Sequence, residues 1–152
     1  MLRIGKMADY GLLIAECLAS PAEEGAGEQL TTDAIVRQTG LPDATVRKLL
    51  RLLVDAGLVS SRRGLRGGYR LNREASRISV AELISAIEGP IGLTECAQAE
   101  DHCSLSPGCG QRANWNVIND LINRQLATIT LADMRGDLAH RGGGSRIMAK
   151  VE

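Results

Sequence analysis

A chain of 152 residues with a 44% hydrophobic fraction can form one domain with its own core, or one compact domain with an extension. Aromatic residues are 2% of the chain and Phe is absent, so that core must rest on Leu, Ile, Val and Ala, which favours helices. The formal charge is zero, which at first argues against nucleic acid, but the segment from Arg47 to Arg73 holds eight basic residues against the single acid Asp55, a local +7.

The residues Ile4, Met7, Leu12, Ala15 and Leu18 recur at roughly helical spacing, predicting a first helix from Arg3 to Ser20. An acidic, Gly-containing loop follows from Ala22 to Glu28. Thr31 or Thr32 can cap a short second helix carrying Ala34, Ile35 and Val36, with Gly40 as its stop. A third helix runs from about Pro42 or Asp43 to Ala56, with Val46, Leu49, Leu50 and Leu53 inward and Arg47, Lys48 and Arg51 outward. Leu58–Ser61 and Tyr69–Leu71 read as two short strands joined by a basic turn, Arg62–Gly68, with three glycines.

Ser79 and Glu82 form a capping box at the head of a helix that Gly89-Pro90 closes. From about Gln111 to Ala132 runs the longest helical pattern, with Trp115, Ile118, Ile122, Gln125 and Ile129 at three- and four-residue steps and Leu121 and Leu126 widening the stripe. Such a seam suits packing along a partner helix, so Trp115, Ile118, Ile122 and Ile129 are the expected dimer contacts. From Gly136 the tail turns polar and Gly-rich and is expected to be disordered. The expected organisation is a DNA-binding domain over 1–90, a cysteine loop over 91–110, a dimerisation helix over 111–134 and a flexible tail over 135–152. No stretch has a signal-peptide core or approaches eighteen apolar residues, which leads us to expect a soluble, cytoplasmic chain.

Two helices joined at Gly40, followed by a basic hairpin, amount to a winged helix-turn-helix, so the fold class is mainly α with a small β-hairpin wing and a long additional helix. The second helix would present phosphate- and base-reaching side chains on one face, and the wing tip would track the DNA backbone. The expected DNA contacts are Thr45, Arg47, Lys48, Arg51, Arg62, Arg63, Arg66 and Tyr69. A solvated basic face on an ordinary helical domain is the bland alternative.

Cys96, Cys103 and Cys109 lie on one polar loop with the spacing Cys-x6-Cys-x5-Cys. Thiols that only fill a core belong on apolar faces, and a reducing compartment disfavours disulfides. Ligation of a metal or an iron–sulfur cluster is therefore expected, with reduced structural cysteines and a zinc site as alternatives; zinc loops usually pair ligands two to four residues apart, and no such pair occurs here. Cys17 lies among apolar residues of the first helix and reads as core packing. His102, beside Cys103, could add a nitrogen ligand, and Glu95 or Asp101 an oxygen. Enzyme chemistry is not expected: no nucleophile–base pairing stands out, and Gly64, Gly67 and Gly68 do not open a helix, so they do not form a nucleotide loop.

The segments Lys6-Met7-Ala8-Asp9-Tyr10-Gly11-Leu12, Gly57 to Leu71 and Ile129-Thr130-Leu131-Ala132-Asp133-Met134 resemble the Rrf-type, IscR-like family of bacterial regulators, and within it regulators of iron–sulfur cluster assembly operons. The resemblance covers about Met1 to Met134. It implies a homodimeric winged-helix repressor on double-stranded DNA, a long dimerisation helix, and an iron–sulfur cluster held by the three cysteines, with [2Fe-2S] favoured over [4Fe-4S]. IscR-like members place a His three residues after the last Cys; Arg112 stands there in this chain, and a guanidinium cation cannot ligate iron. Other members use an acid from the first helix of the partner subunit, a position that Asp9 matches, so Asp9 ranks slightly above His102 as fourth ligand. The competing functions are a nitric-oxide or redox-responsive regulator of other genes, a metal-independent winged-helix repressor, and, last, a small electron-transfer protein, which would not need the +7 patch.

Overall fold

The computed structural model describes residues 4–19, 29–64, 67–95 and 108–136. Its elements are α1 (Lys6–Ala19), α2 (Thr32–Thr39), α3 (Asp43–Asp55), β1 (Val59–Arg62), β2 (Gly68–Leu71), a 3-10 turn (Ala75–Arg77), α4 (Val80–Glu88), α5 (Arg112–Thr128) and α6 (Leu131–Arg135). The expected mainly helical fold with a hairpin wing is therefore what forms. The tail from residue 137 lies outside the described residues.

Helix α2 starts where Thr31 accepts a hydrogen bond from the Ala34 amide (3.2 Å) and stops at Gly40, whose left-handed φ of 69° closes the helix through its amide onto the Val36 carbonyl. Pro42 occupies the N-cap position of α3 without a side-chain cap, its carbonyl accepting from the Val46 amide at 3.0 Å. Val46, Leu49, Leu50 and Leu53 of α3 are all buried, as their spacing requires, and join Ile14 and Ala15 of α1, Ile35 of α2 and Leu83 of α4 in the main core. The two strands pair antiparallel with Val59 opposite Leu71 and Arg62 opposite Gly68.

Two sequence expectations shift. The buried face of α1 is Ala8, Gly11, Ile14 and Ala15, whereas Ile4 precedes the helix and is exposed. Small residues at this face let α4 approach closely: a Cβ at Gly11 would collide with Ile87. The long C-terminal helix also ends earlier than its apolar pattern suggests. It breaks after Thr128 because Thr130 and Asp133 build a second capping box, which starts α6.

The two capping boxes meet. Ser79 and Thr130 form an antiparallel bridge, in which the Val80 amide donates to the Ile129 carbonyl and the Leu131 amide to the Ile78 carbonyl, both at 2.8 Å. Leu131 is thereby fully buried in the main core. Within the first box the Glu82 carboxylate accepts from the Ser79 amide (2.8 Å) and pairs with Arg73 (2.7 Å). Partial burial works against its charge, but these bonds outweigh it and hold the carboxyl below its ordinary range.

A carboxyl with a lowered folded pKa stabilises at neutral pH, and that contribution is lost as pH falls through the folded value. Glu82→Gln keeps the cap geometry but loses the ion pair, which is two-fifths exposed. It should cost a few tenths to about 1 kcal/mol at neutral pH. In urea titrations the gap between wild type and variant should close on acidification.

Candidate functional site

The outward face of α3 carries Arg47, Lys48 and Arg51, all exposed, as expected of a recognition helix. Two of these cations are held by acids on their own helix. Arg47 Nε donates to Asp43 Oδ2 at 2.7 Å, and Arg51 Nε lies 3.9 Å from Asp55 Oδ2. This hydrogen bond to the Asp43 carboxylate raises the Arg47 pKa above its ordinary value. Sequence reasoning missed both pairings, although the four-residue spacing is the signal for them. Thr45 is half-buried in the first turn of α3.

Arg62 and Arg63 are exposed at the wing, and Arg66 lies outside the described residues. A turn in which the Gly67 amide donates to the Gly64 carbonyl (2.9 Å) brings the strands together. At Gly67 a side chain would strike the Arg62 carbonyl oxygen, so the tight approach requires glycine. Tyr69 is half-buried: its backbone exchanges two hydrogen bonds with Leu30 (2.8 and 3.0 Å), and one side of the residue packs against the main core. Arg73, counted in the basic segment, is directed elsewhere. It binds Glu82 and donates to the Arg77 carbonyl at 3.1 Å, so it belongs to the α4 cap.

Of the expected cluster ligands, Cys96, Cys103 and His102 lie outside the described residues, as does Asp101. Cys109 is half-buried immediately before α5, and its carbonyl accepts from the Arg112 amide. Glu95 is exposed. Asp9 is exposed in the first turn of α1, on the rim of an apolar cavity of about 360 Å³ formed with Leu12, Val80, Leu83, Ile84 and Met134. Among the described residues no three His, Cys, Asp or Glu side chains converge on one point. Cys17 is half-buried; its thiol donates to Gln38 Oε1 at 2.9 Å, and burial pushes its pKa up.

The expected seam of α5 divides. Trp115 and Ile118 (each 41% exposed) and Leu121 (55%) lie open on the outer face together with Val117, which the spacing ladder does not include. Ile122 is half-buried, and Ile129 packs within its own chain beside Ala8, Val80 and Ile84. Two asparagines hold the other face. Buried Asn119 accepts from the Leu93 amide (3.2 Å), and Asn123 donates to the Ile91 carbonyl (3.2 Å). The segment leading to the cysteines is thus stapled to the helix that follows them.

A helix-turn-helix backed by a basic two-stranded wing defines a DNA-binding winged-helix transcriptional regulator. The chain belongs to the Rrf2 family, described as an iron-dependent transcriptional regulator, which it matches over residues 4–137. It is 30% identical over 116 residues to the protein rrf2 of Nitratidesulfovibrio vulgaris, covering 76% of this chain and 77% of that one. It is also 36% identical over 109 residues to the HTH-type transcriptional regulator IscR of Escherichia coli O1:K1 / APEC, covering 72% and 66% of the two chains. Among solved structures, CymR, the global cysteine regulator of B. subtilis, matches with a TM-score of 0.65 at 30% identity, covering 88% of this chain and 96% of that one. T. potens IscR matches with a TM-score of 0.63 at 28% identity, covering 97% and 96%. No helix among the described residues is long and apolar enough to cross a membrane.

Replacing Asn119 by Ala removes the acceptor for the Leu93 amide. The substitution should cost about 1–3 kcal/mol and should raise hydrogen exchange at Leu93 while leaving exchange within α3 unchanged.

Proposed function

We propose that the chain is a homodimeric repressor that reads operator DNA with α3 and the wing and reports iron–sulfur status or redox stress through a cluster bound by Cys96, Cys103 and Cys109. The observation that carries this reading is the position of Cys109 at the foot of α5, a helix whose outer face leaves Trp115, Ile118 and Leu121 open to a partner. Ligation at the loop and dimer geometry then act on one rigid element. The regulated genes would be those of cluster assembly.

The donor set suits the group: soft thiolates hold iron–sulfur clusters, and one oxygen or nitrogen ligand completes four bonds. Asp9 of the partner subunit is the favoured fourth ligand, supported by its exposure beside an apolar recess that it helps to line; His102 is the alternative. The cluster, preferably [2Fe-2S], supplies an oxidisable centre, more easily lost than one held by four thiolates. Arg47, Lys48, Arg51, Arg62 and Arg63, with Arg66, provide charge for phosphate and bidentate donors for guanine. Thr45 and Tyr69 complete the contact surface. Operator affinity changes only as far as DNA favours one arrangement of the two reading units over another. A second reading, a regulator that senses cysteine or redox state without metal, draws support from the similarity to CymR.

Anaerobically purified wild type should show visible absorbance with matching iron and sulfide, and holo-protein should shift its own promoter more tightly than apo-protein. Cys103→Ala should lose the colour yet remain a folded dimer, and Asp9→Ala should lose it faster in air than His102→Ala. A colourless wild type, or equal DNA affinity with and without cluster, would transfer support to the metal-free reading. Arg63→Ala should weaken binding across sequences and lower the slope of log affinity against log salt by about one; an unchanged slope would remove the wing from the interface.

A further inference from the structure

A second cavity, of about 390 Å³, opens where α1, the end of α2 and α6 meet; Leu13, Glu16, Cys17, Gln38, Thr39 and Arg135 line it. Its volume lies near the lower end of the roughly 300–1,000 Å³ typical of small-molecule sites. The charged groups on its walls are opposite in sign. Arg135 is anchored through Nη1 to the Ala19 carbonyl at 2.7 Å, which leaves the rest of its planar fork to other acceptors. Glu16 is half-buried on α1, where burial raises its carboxyl and the Arg135 charge opposes that rise. Both line the cavity, and no contact ion pair among the described residues joins them.

We propose that this cavity binds a free α-amino acid, its carboxylate on the Arg135 guanidinium and its ammonium on the Glu16 carboxylate. A simple anion would satisfy Arg135 but bring like charge towards Glu16, and a simple amine would do the converse. A small zwitterion satisfies both. Leu13 offers an apolar surface to its side chain, and the Cys17–Gln38 hydrogen bond closes one wall. The proposal does not rest on the cluster reading. The cavity walls come from α6, which follows α5, and from Gln38 and Thr39, which precede the turn into α3. A ligand that prefers one placement of these helices changes operator affinity by that preference.

Isothermal titration of the full-length protein with L-alanine, L-serine, L-cysteine and L-valine tests this, followed by the amide and the N-acetyl derivative of whichever binds best. At least one amino acid should bind, and removing either ligand charge should weaken binding about tenfold or more. Arg135→Gln should erase discrimination between the amino acid and its amide. Glu16→Gln, which leaves the Ala19 contact intact, should erase discrimination between the amino acid and its N-acetyl form. No heat from any of the four at millimolar concentration overturns the proposal, as does full discrimination retained in both variants.

Discussion

The bridge between Ser79 and Thr130 is the constraint on which the rest of the molecule depends. Helix α5 has little apolar surface turned towards its own chain: Trp115, Val117, Ile118 and Leu121 face outward, and its one buried residue is Asn119. Packing alone would hold such a helix poorly. It is instead fixed at its C-terminal end, where two helix starts lie back to back and each satisfies the other's main chain. Each box also satisfies its own first-turn amides, so the junction is saturated with hydrogen bonds. With Leu131 in the core and Arg135 bonded to the end of α1, this junction fixes the C-terminal end of α5 against the DNA-reading helices, while Asn119 and Asn123 hold its middle.

Charge is distributed with similar economy. The segment from Arg47 to Arg73 sums to +7, yet α3 carries its own acids, and Arg73 turns back to Glu82. The Asp43 and Asp55 pairs are exposed, and exposed pairs contribute at most about 1 kcal/mol. A phosphate can therefore displace them at little cost. Both guanidinium groups stay open to solvent, the Arg51 side chain at 85% exposure and the Arg47 side chain at 61%. The field that reaches DNA is smaller than the count of cations implies.

Helix α3 was legible in the sequence because large aliphatic residues mark one face, cations the other, and Gly40 the boundary. Helix α1 was less so. It is apolar on several sides, and its closest packing uses Ala8, Gly11 and Ala15, which a ladder of large side chains overlooks. The break at Thr128 was hidden because Ile129 continues the apolar rhythm; Thr130-x-x-Asp133 is a capping signal of the same kind as Ser79-x-x-Glu82, and it decides the matter. In the site, the cations of α3 and the wing were readable individually. Their partners were not all so: Asp43 and Asp55 follow from helical spacing, but the bond from Arg73 to Glu82 spans a 3-10 turn and exists only in three dimensions. The Glu16–Arg135 cavity could not be read at all, since its two charges stand more than a hundred residues apart.

The stretch from Gly89 to Glu95 joins these parts. Just before it, the last residue of α4, Glu88, accepts from the Gly5 and Ala8 amides at 3.3 and 3.4 Å and so caps the start of α1, the turn that bears Asp9. Within it, Ile91 and Leu93 are bonded to the asparagines of α5. The backbone leading into the cysteines is therefore tied on one side to the helix that packs behind α3 and on the other to the helix with the open apolar face. None of its residues is fully buried, so these hydrogen bonds rather than dense packing fix its course. The stretch before Cys96 is thus coupled through side-chain hydrogen bonds to both helices, α1 through Glu88 and α5 through Asn119 and Asn123.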